Sequence, residues 1–165
     1  YLEPMWKIIQ QLCEDIRGNL TVYEAVVLMM TALGSLRCHD KSRVIPVGYS
    51  MLLILYITLL RRTPEYNEEI RYHISFLPDV KVWTGNLLNV ILYIPLGGTI
   101  YNMAASIKGT AFAALLSSVL CEIIQYFTHR GVADINDVLF NLIGACAGAL
   151  LFRAFRAFKK KKDLQ

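Results

Sequence analysis

Five apolar runs, each near the length of a membrane crossing, set the terms for everything else in this chain. They cover roughly residues 20–36, 44–60, 84–103, 107–127 and 135–158. A helix needs about 20 mostly apolar residues to span a bilayer, with about 17 as the lower limit. The last three runs reach that length comfortably, and the second is short but uninterrupted. The first is near the limit and carries Glu24. Composition agrees, with 55% of the 165 residues hydrophobic and 18% charged, against about 45–50% and about 25% in ordinary soluble domains. The expected fold is an all-α integral membrane protein, a bundle of four to five transmembrane helices in residues 19–158. Residues 1–18 read as an N-terminal amphipathic interfacial helix. There Pro4 suits a first helical position, Met5, Ile9, Leu12 and Ile16 share a face, Trp6 suits the interface, and Gly18 ends the helix.

Net charge is +4, and the excess sits mainly in "FRAFRAFKKKK", which leads into a basic tail over 159–165. Directly after an apolar helix, that tail reads as a membrane-flanking anchor and not as a nucleic-acid patch. With the tail placed inside, ten basic residues fall on the inner side (Arg37, Lys41, Arg43, Lys108, Arg153, Arg156 and Lys159 to Lys162). Five fall outside (Arg61, Arg62, Arg71, Lys81 and Arg130). The imbalance favours a cytoplasmic C-terminus, with the 61–83 loop and the "THRGVAD" turn facing outward. If the first run spans, the N-terminal helix is outside; if it is interfacial or re-entrant, the helix is inside. Cys13, Cys38, Cys121 and Cys146 form no metal-ligand spacing, so neither a disulfide framework nor a zinc site is expected. Nothing in the sequence names a cofactor.

Small residues mark the packing faces. Gly144 and Gly148 form a GxxxG pair, and Ala113 with Ser117 forms a small-xxx-small pair, both suited to close helix approach. The Gly144/Gly148 face is also a candidate for homo-oligomer formation. Pro95, followed by Gly97 and Gly98, should kink or break the third run.

Polar residues fall in three stripes. Asn86, Asn89 and Tyr93 share a face of the third run. Ser118, Glu122, Gln125 and His129 share one on the fourth, and Asp134, Asp137 and Asn141 on the fifth. All three stripes occupy the outer halves of their helices and would meet in one outward-opening pocket. A charge at mid-membrane costs about 2.5–3.5 kcal/mol even on the insertion scale. Glu122 should therefore face the bundle and find donors such as Asn89 or Gln125, or be protonated. Plainer roles exist beside these. Asp134 and Asp137 suit the first turn of a helix as N-cap and N3 carboxylate. Gln125 and Asn141 suit interhelical hydrogen bonds, Asn86 suits a structural role near the interface, and His129 and Arg130 suit a solvated turn or lipid headgroups. Carboxylates beside amides could also hold a divalent cation, but the spacing specifies none, and no metal site is expected.

The segments "NLLNVILYIPLGGTIY", "SSVLCEIIQYF" and "GVADINDVLFNLIGACAGALL" resemble the three signature blocks of the VanZ-like family over about residues 46–152. The family pattern falls on Asn89, Pro95 and Gly97, on Glu122 and Gln125, and on Asp134, Ile135, Asp137, Asn141 and Gly144. Arg71 and Pro78 match the family's preceding loop loosely. The resemblance implies a small multi-pass protein of the bacterial cytoplasmic membrane, in a family whose founding member is associated with resistance to the glycopeptide teicoplanin. The site expected on this basis binds a membrane lipid headgroup or a lipid-linked cell-wall precursor through Asn89, Tyr93, Gln125, Asp134, Asn141, Arg71 and Arg130. Glu122 and Asp137 are the candidate general acid and base should the protein be an enzyme. A small transporter or lipid flippase acting as an oligomer, and a non-catalytic accessory subunit, are the competing readings.

Overall fold

The computed structural model describes residues 22–35, 43–60, 70–71 and 80–162. Helix α1 is Val22–Ser35 and α2 is Val44–Leu55, which continues into a π-helical turn, Tyr56–Leu60. The two-residue strand β1, Ile70–Arg71, precedes α3, Val80–Ala104, and α4, Ile107–Thr128. Strand β2, Ala133–Asp134, leads directly into α5, Ile135–Lys162. The helix expected over 1–18 lies outside the described residues, as do Cys13, Cys38 and Pro78. Segments Trp83–Ala104, Ile107–Thr128 and Ile135–Lys162 are long and apolar enough to cross a membrane, and Val44–Leu60 is a shorter apolar helix. The described part of the first run is a 14-residue helix. The last helix runs on through Lys159–Lys162, so the basic tail begins as its final turn.

The exterior is what lipid as a solvent demands. Phe112, Leu116, Leu120, Ile123 and Phe127 of α4 stay exposed, as do Leu150, Leu151, Phe155 and Phe158 of α5. Buried positions, by contrast, include Ser50, Thr84, Asn86, Thr99, Asn102, Thr110 and Ser118. With the long apolar helices, this distribution makes the chain an all-α integral membrane protein.

Helix ends follow local chemistry. Ala105 in the left-handed region (φ 53°) stops α3. Ser106 then caps α4, its hydroxyl accepting from the Gly109 amide at 3.1 Å. At the other end of α4, His129 adopts φ 52°. The Arg130 amide reaches back to the Gln125 carbonyl at 3.1 Å and the His129 amide to the Tyr126 carbonyl at 3.3 Å. This is the hydrogen-bond pattern of a Schellman end, with histidine at the position glycine usually takes.

The spine of the bundle is the α3–α5 contact, its largest helix–helix interface. A Cβ at Gly144 would overlap the Val90 carbonyl, one at Gly148 the Ile94 carbonyl, and one at Gly97 the backbone of Ala145. Backbone meets backbone over residues 90–97 of α3 and 144–148 of α5. The expectation of a homo-oligomer through the Gly144/Gly148 face is corrected here, because α3 of the same chain fills that face. A second correction concerns the break at Pro95, the alternative to a kink. The third run does not break there, and α3 continues through the buried proline to Ala104. The α5 contacts at Ile94 and Gly97 lie on either side of the proline and support the helix there.

We expect Gly148→Ala to lower stability by roughly 1–3 kcal/mol or more, since no flexible side chain is there to yield. Gly48→Ala, where a Cβ meets nothing within 4 Å, should be neutral or stabilising by about 0.5–1 kcal/mol. Thermal unfolding of both variants in nanodiscs checks this.

Candidate functional site

The polar stripes converge at the end of the bundle where α3 and α5 begin and α4 ends. Asp134, the residue before α5, accepts the Asn136 backbone amide on Oδ1 at 2.8 Å and the Asn136 side-chain Nδ2 at 2.9 Å. It therefore caps the helix at its N2 amide. Its own backbone N–H points the other way, into α4, and donates to Glu122 Oε2 at 2.9 Å. Glu122 is buried. Its carboxylate thus fastens the entry of α5 to the last turns of α4 and finds there a donor that offsets its desolvation. The expectation that Asn89 or Gln125 supplies that donor is corrected. Asn89 Nδ2 instead donates across the α3–α5 spine to Asp137 Oδ1 at 2.6 Å, and Gln125 Nε2 donates to the Thr58 carbonyl at 3.2 Å.

The π-helical turn after α2 completes one wall. Widened turns leave carbonyls to be satisfied from outside, and α4 and its following turn provide for this. Besides Gln125, Arg130 donates to the Leu59 carbonyl at 3.0 Å and more weakly to Leu60 at 3.4 Å. The strand pair closes another side. β1 runs parallel to β2 with Ile70 opposite Ala133 and Arg71 opposite Asp134.

Two levels result. Asn89, Asp137, Asp134 and Arg130 form a rim of partly exposed residues. Beneath it, Glu122, Gln125, Asn141, Ser118 and Tyr93 form a buried floor. Asn141 Nδ2 donates to Ser118 Oγ at 2.8 Å. The Tyr93 hydroxyl reaches the same part of α4, at Ser117, Ser118 and Cys121, without hydrogen-bond geometry to any of them. Three floor atoms, one from each helix, are buried without a partner: Tyr93 Oη, Gln125 Oε1 and Asn141 Oδ1. Among the described residues no group of three or more His, Cys, Asp or Glu side chains is placed to hold a metal ion. Cys121 and Cys146 are free thiols.

A family model for VanZ/LLP1 matches residues 20–156, most of the chain. The chain belongs to the VanZ-like family. No curated protein and no solved structure matches it. The family is associated with glycopeptide resistance, and membership extends to residue 20, so α1 lies within the VanZ-like region.

In this VanZ-like chain the structure brings together Asn89 with Asp137, Glu122 with Asp134, and Asn141 with the Tyr93 neighbourhood through Ser118. Arg71 joins them through strand pairing, although its sequence match was loose. Arg130 lies at the same end with its guanidinium turned to backbone carbonyls of the π turn. Sequence reasoning passed over Thr58 and Asn136, whose contributions are a carbonyl, a backbone amide and a carboxamide on the helix cap. Glu24, noted in the sequence only as a charge inside the first run, is buried on α1, a helix packed on α3. A carboxylate inside a short apolar run was the signal available for it.

A double-mutant cycle on Asn89→Ala and Asp137→Ala, read by thermal unfolding in nanodiscs, should give a coupling energy on the order of 0.5–2 kcal/mol. Additive losses would place the two residues apart.

Proposed function

We propose that this site binds the polar part of a cell-envelope molecule, a lipid headgroup or a lipid-linked cell-wall precursor. It would do so at the outer side of a bacterial cytoplasmic membrane and thereby change sensitivity to glycopeptides such as teicoplanin. The observation that carries the reading is the two-level arrangement: an accessible Asn89–Asp137 pair above a floor with three unpartnered buried polar atoms. Leaving such atoms unpaired costs about 1–3 kcal/mol each, which a bound polar group would recover. Two of the three are amide oxygens, and Asp137 adds a carboxylate. That surface favours a ligand rich in hydroxyl, amide N–H or ammonium donors, as sugar–peptide and aminoalkyl headgroups are.

Charge supports the orientation. Arg43, Lys108, Arg153, Arg156 and Lys159–Lys162 gather at the end away from the site, which the positive-inside rule places in the cytoplasm with the C-terminus. The transport reading drew on a broken third helix. Because α3 is continuous, that support is withdrawn. Asp137 is the carboxylate within reach of a ligand, and Glu122 sits behind it, engaged with backbone. In an enzymatic version Asp137 would therefore contact substrate first.

Titration of a lipid-linked cell-wall precursor, and separately of phosphatidylethanolamine, into purified protein in phosphatidylcholine nanodiscs tests the proposal. Saturable binding of one of them is expected, weakened roughly tenfold to a hundredfold in Asp137→Asn, the equivalent of one charge-assisted hydrogen bond. Absence of saturable binding by both, or equal binding in the variant, would overturn it and leave the accessory-subunit reading.

A further inference from the structure

The opposite end of the bundle holds a second arrangement that the site above does not use. Two arginines from distant parts of the chain converge on the last turn of α3. Arg156 of α5 donates through Nη2 to the Asn102 carbonyl at 2.8 Å and also to Asn102 Oδ1. Arg43, at the start of α2, donates through Nη1 to the same carbonyl at 3.2 Å. One arginine suffices to satisfy a helix C-terminal carbonyl. Here two guanidiniums meet at the same carbonyl.

Beside Arg43 an open groove runs between α1 and α2, of about 360 Å³ and lined by Val27, Met30, Thr31, Gly34, Ile45, Pro46 and Tyr49. That volume lies within the ~300–1,000 Å³ of ordinary ligand clefts. Its polar side chain nearest the wall is already engaged, since the Thr31 hydroxyl donates to its own helix at Val27 O, 2.7 Å. The groove therefore offers hydrocarbon contact and little else. Pro46, in the groove's wall, stands one helical turn from Arg43, so the groove begins next to the residue whose guanidinium reaches Asn102.

We propose that this groove and the arginine pair form a binding site for one anionic phospholipid, with an acyl chain in the α1–α2 groove and the headgroup phosphate against Arg43 and Arg156. Charge complementarity selects this occupant. Lys108, Arg153 and Lys159–Lys162 surround the same end, whereas the described carboxylates Glu24, Glu122, Asp134 and Asp137 belong to the other half of the bundle. The adjoining segment 36–43 has three basic residues and a single acid, Asp40. Guanidinium is the side chain best matched to phosphate, which it can bind through two parallel N–H donors. The lipid would hold α1 to the rest of the bundle.

Native mass spectrometry of the full chain released from phosphatidylcholine vesicles containing phosphatidylglycerol tests this. Retained phosphatidylglycerol is expected in preference to phosphatidylcholine. Retention should fall about thirtyfold in the Arg43→Gln/Arg156→Gln double variant, taking about 1 kcal/mol per arginine near a phosphate. Because Arg156 also caps α3, a second variant guards against misfolding. Gly34→Leu fills the groove from a position where a Cβ meets nothing within 4 Å, so it should fold normally and lose the lipid. Equal retention of both lipids would overturn the proposal. So would wild-type retention in Gly34→Leu, or a loss in a Lys160→Gln/Lys161→Gln/Lys162→Gln tail variant as large as that of the arginine pair. A change of oligomeric state in Gly34→Leu with no change in lipid would assign the groove to a second copy instead.

Discussion

A single hydrogen bond, from the Asp134 backbone amide to the buried Glu122 carboxylate, fixes where the polar end of this protein can be. A carboxylate inside an apolar helix is tolerated when a donor meets it, and here the donor is the chain turning back into α5. The bond acts in both directions. It lowers the cost of burying Glu122, and it sets the angle at which α5 enters the bundle. Asp134 caps the first turn of that helix with its side chain while its amide is held from below. With the turn fixed, Asp137 faces Asn89 and Asn141 reaches Ser118. Were the turn free to shift by a residue, both cross-helix pairs would rotate out of register.

The middle of the bundle permits this by bringing backbones very close. Gly97, Gly144 and Gly148 let α3 and α5 touch without side chains between them. Short side chains such as Asn89 and Asp137 can then bridge the two helices at the rim. The division of labour along the axis follows: carboxylates and amides at one end, a glycine spine in the middle, arginines and lysines at the other. A protein built this way carries different chemistry at the two ends of its bundle.

Much of this was legible in the residues. Long, mostly apolar runs required helices in lipid, and the spacing of Asn89, Tyr93, Glu122, Gln125, Asp137 and Asn141 put each set on one face at one depth. The misreadings have physical causes. The donor to Glu122 is a backbone N–H, which every residue but proline carries, so no side-chain pattern announces it. A GxxxG pair looks the same whether the partner helix belongs to the same chain or to another. Proline breaks an isolated helix, yet α5 packs on both sides of Pro95 and supports the helix there. Arg71 comes to the site through strand register with a segment two helices further along the chain, and register between two-residue strands leaves no periodic trace. The π turn at Tyr56–Leu60 reads as ordinary apolar helix, and its carbonyls became visible only through the Gln125 and Arg130 donors.

The most direct test of this account is amide hydrogen exchange at Asp134, measured for the protein in nanodiscs. Slow exchange is expected in the wild type and in Glu122→Gln, whose amide oxygen can still accept the bond. Glu122→Ala, still folded by the protection of its α3 and α5 amides, should exchange at Asp134 at least about tenfold faster, the equivalent of a hydrogen bond worth roughly 1.4 kcal/mol. Equal protection of Asp134 in wild type and Glu122→Ala would contradict the account, because the turn would then be held without the carboxylate on which the site is argued to depend.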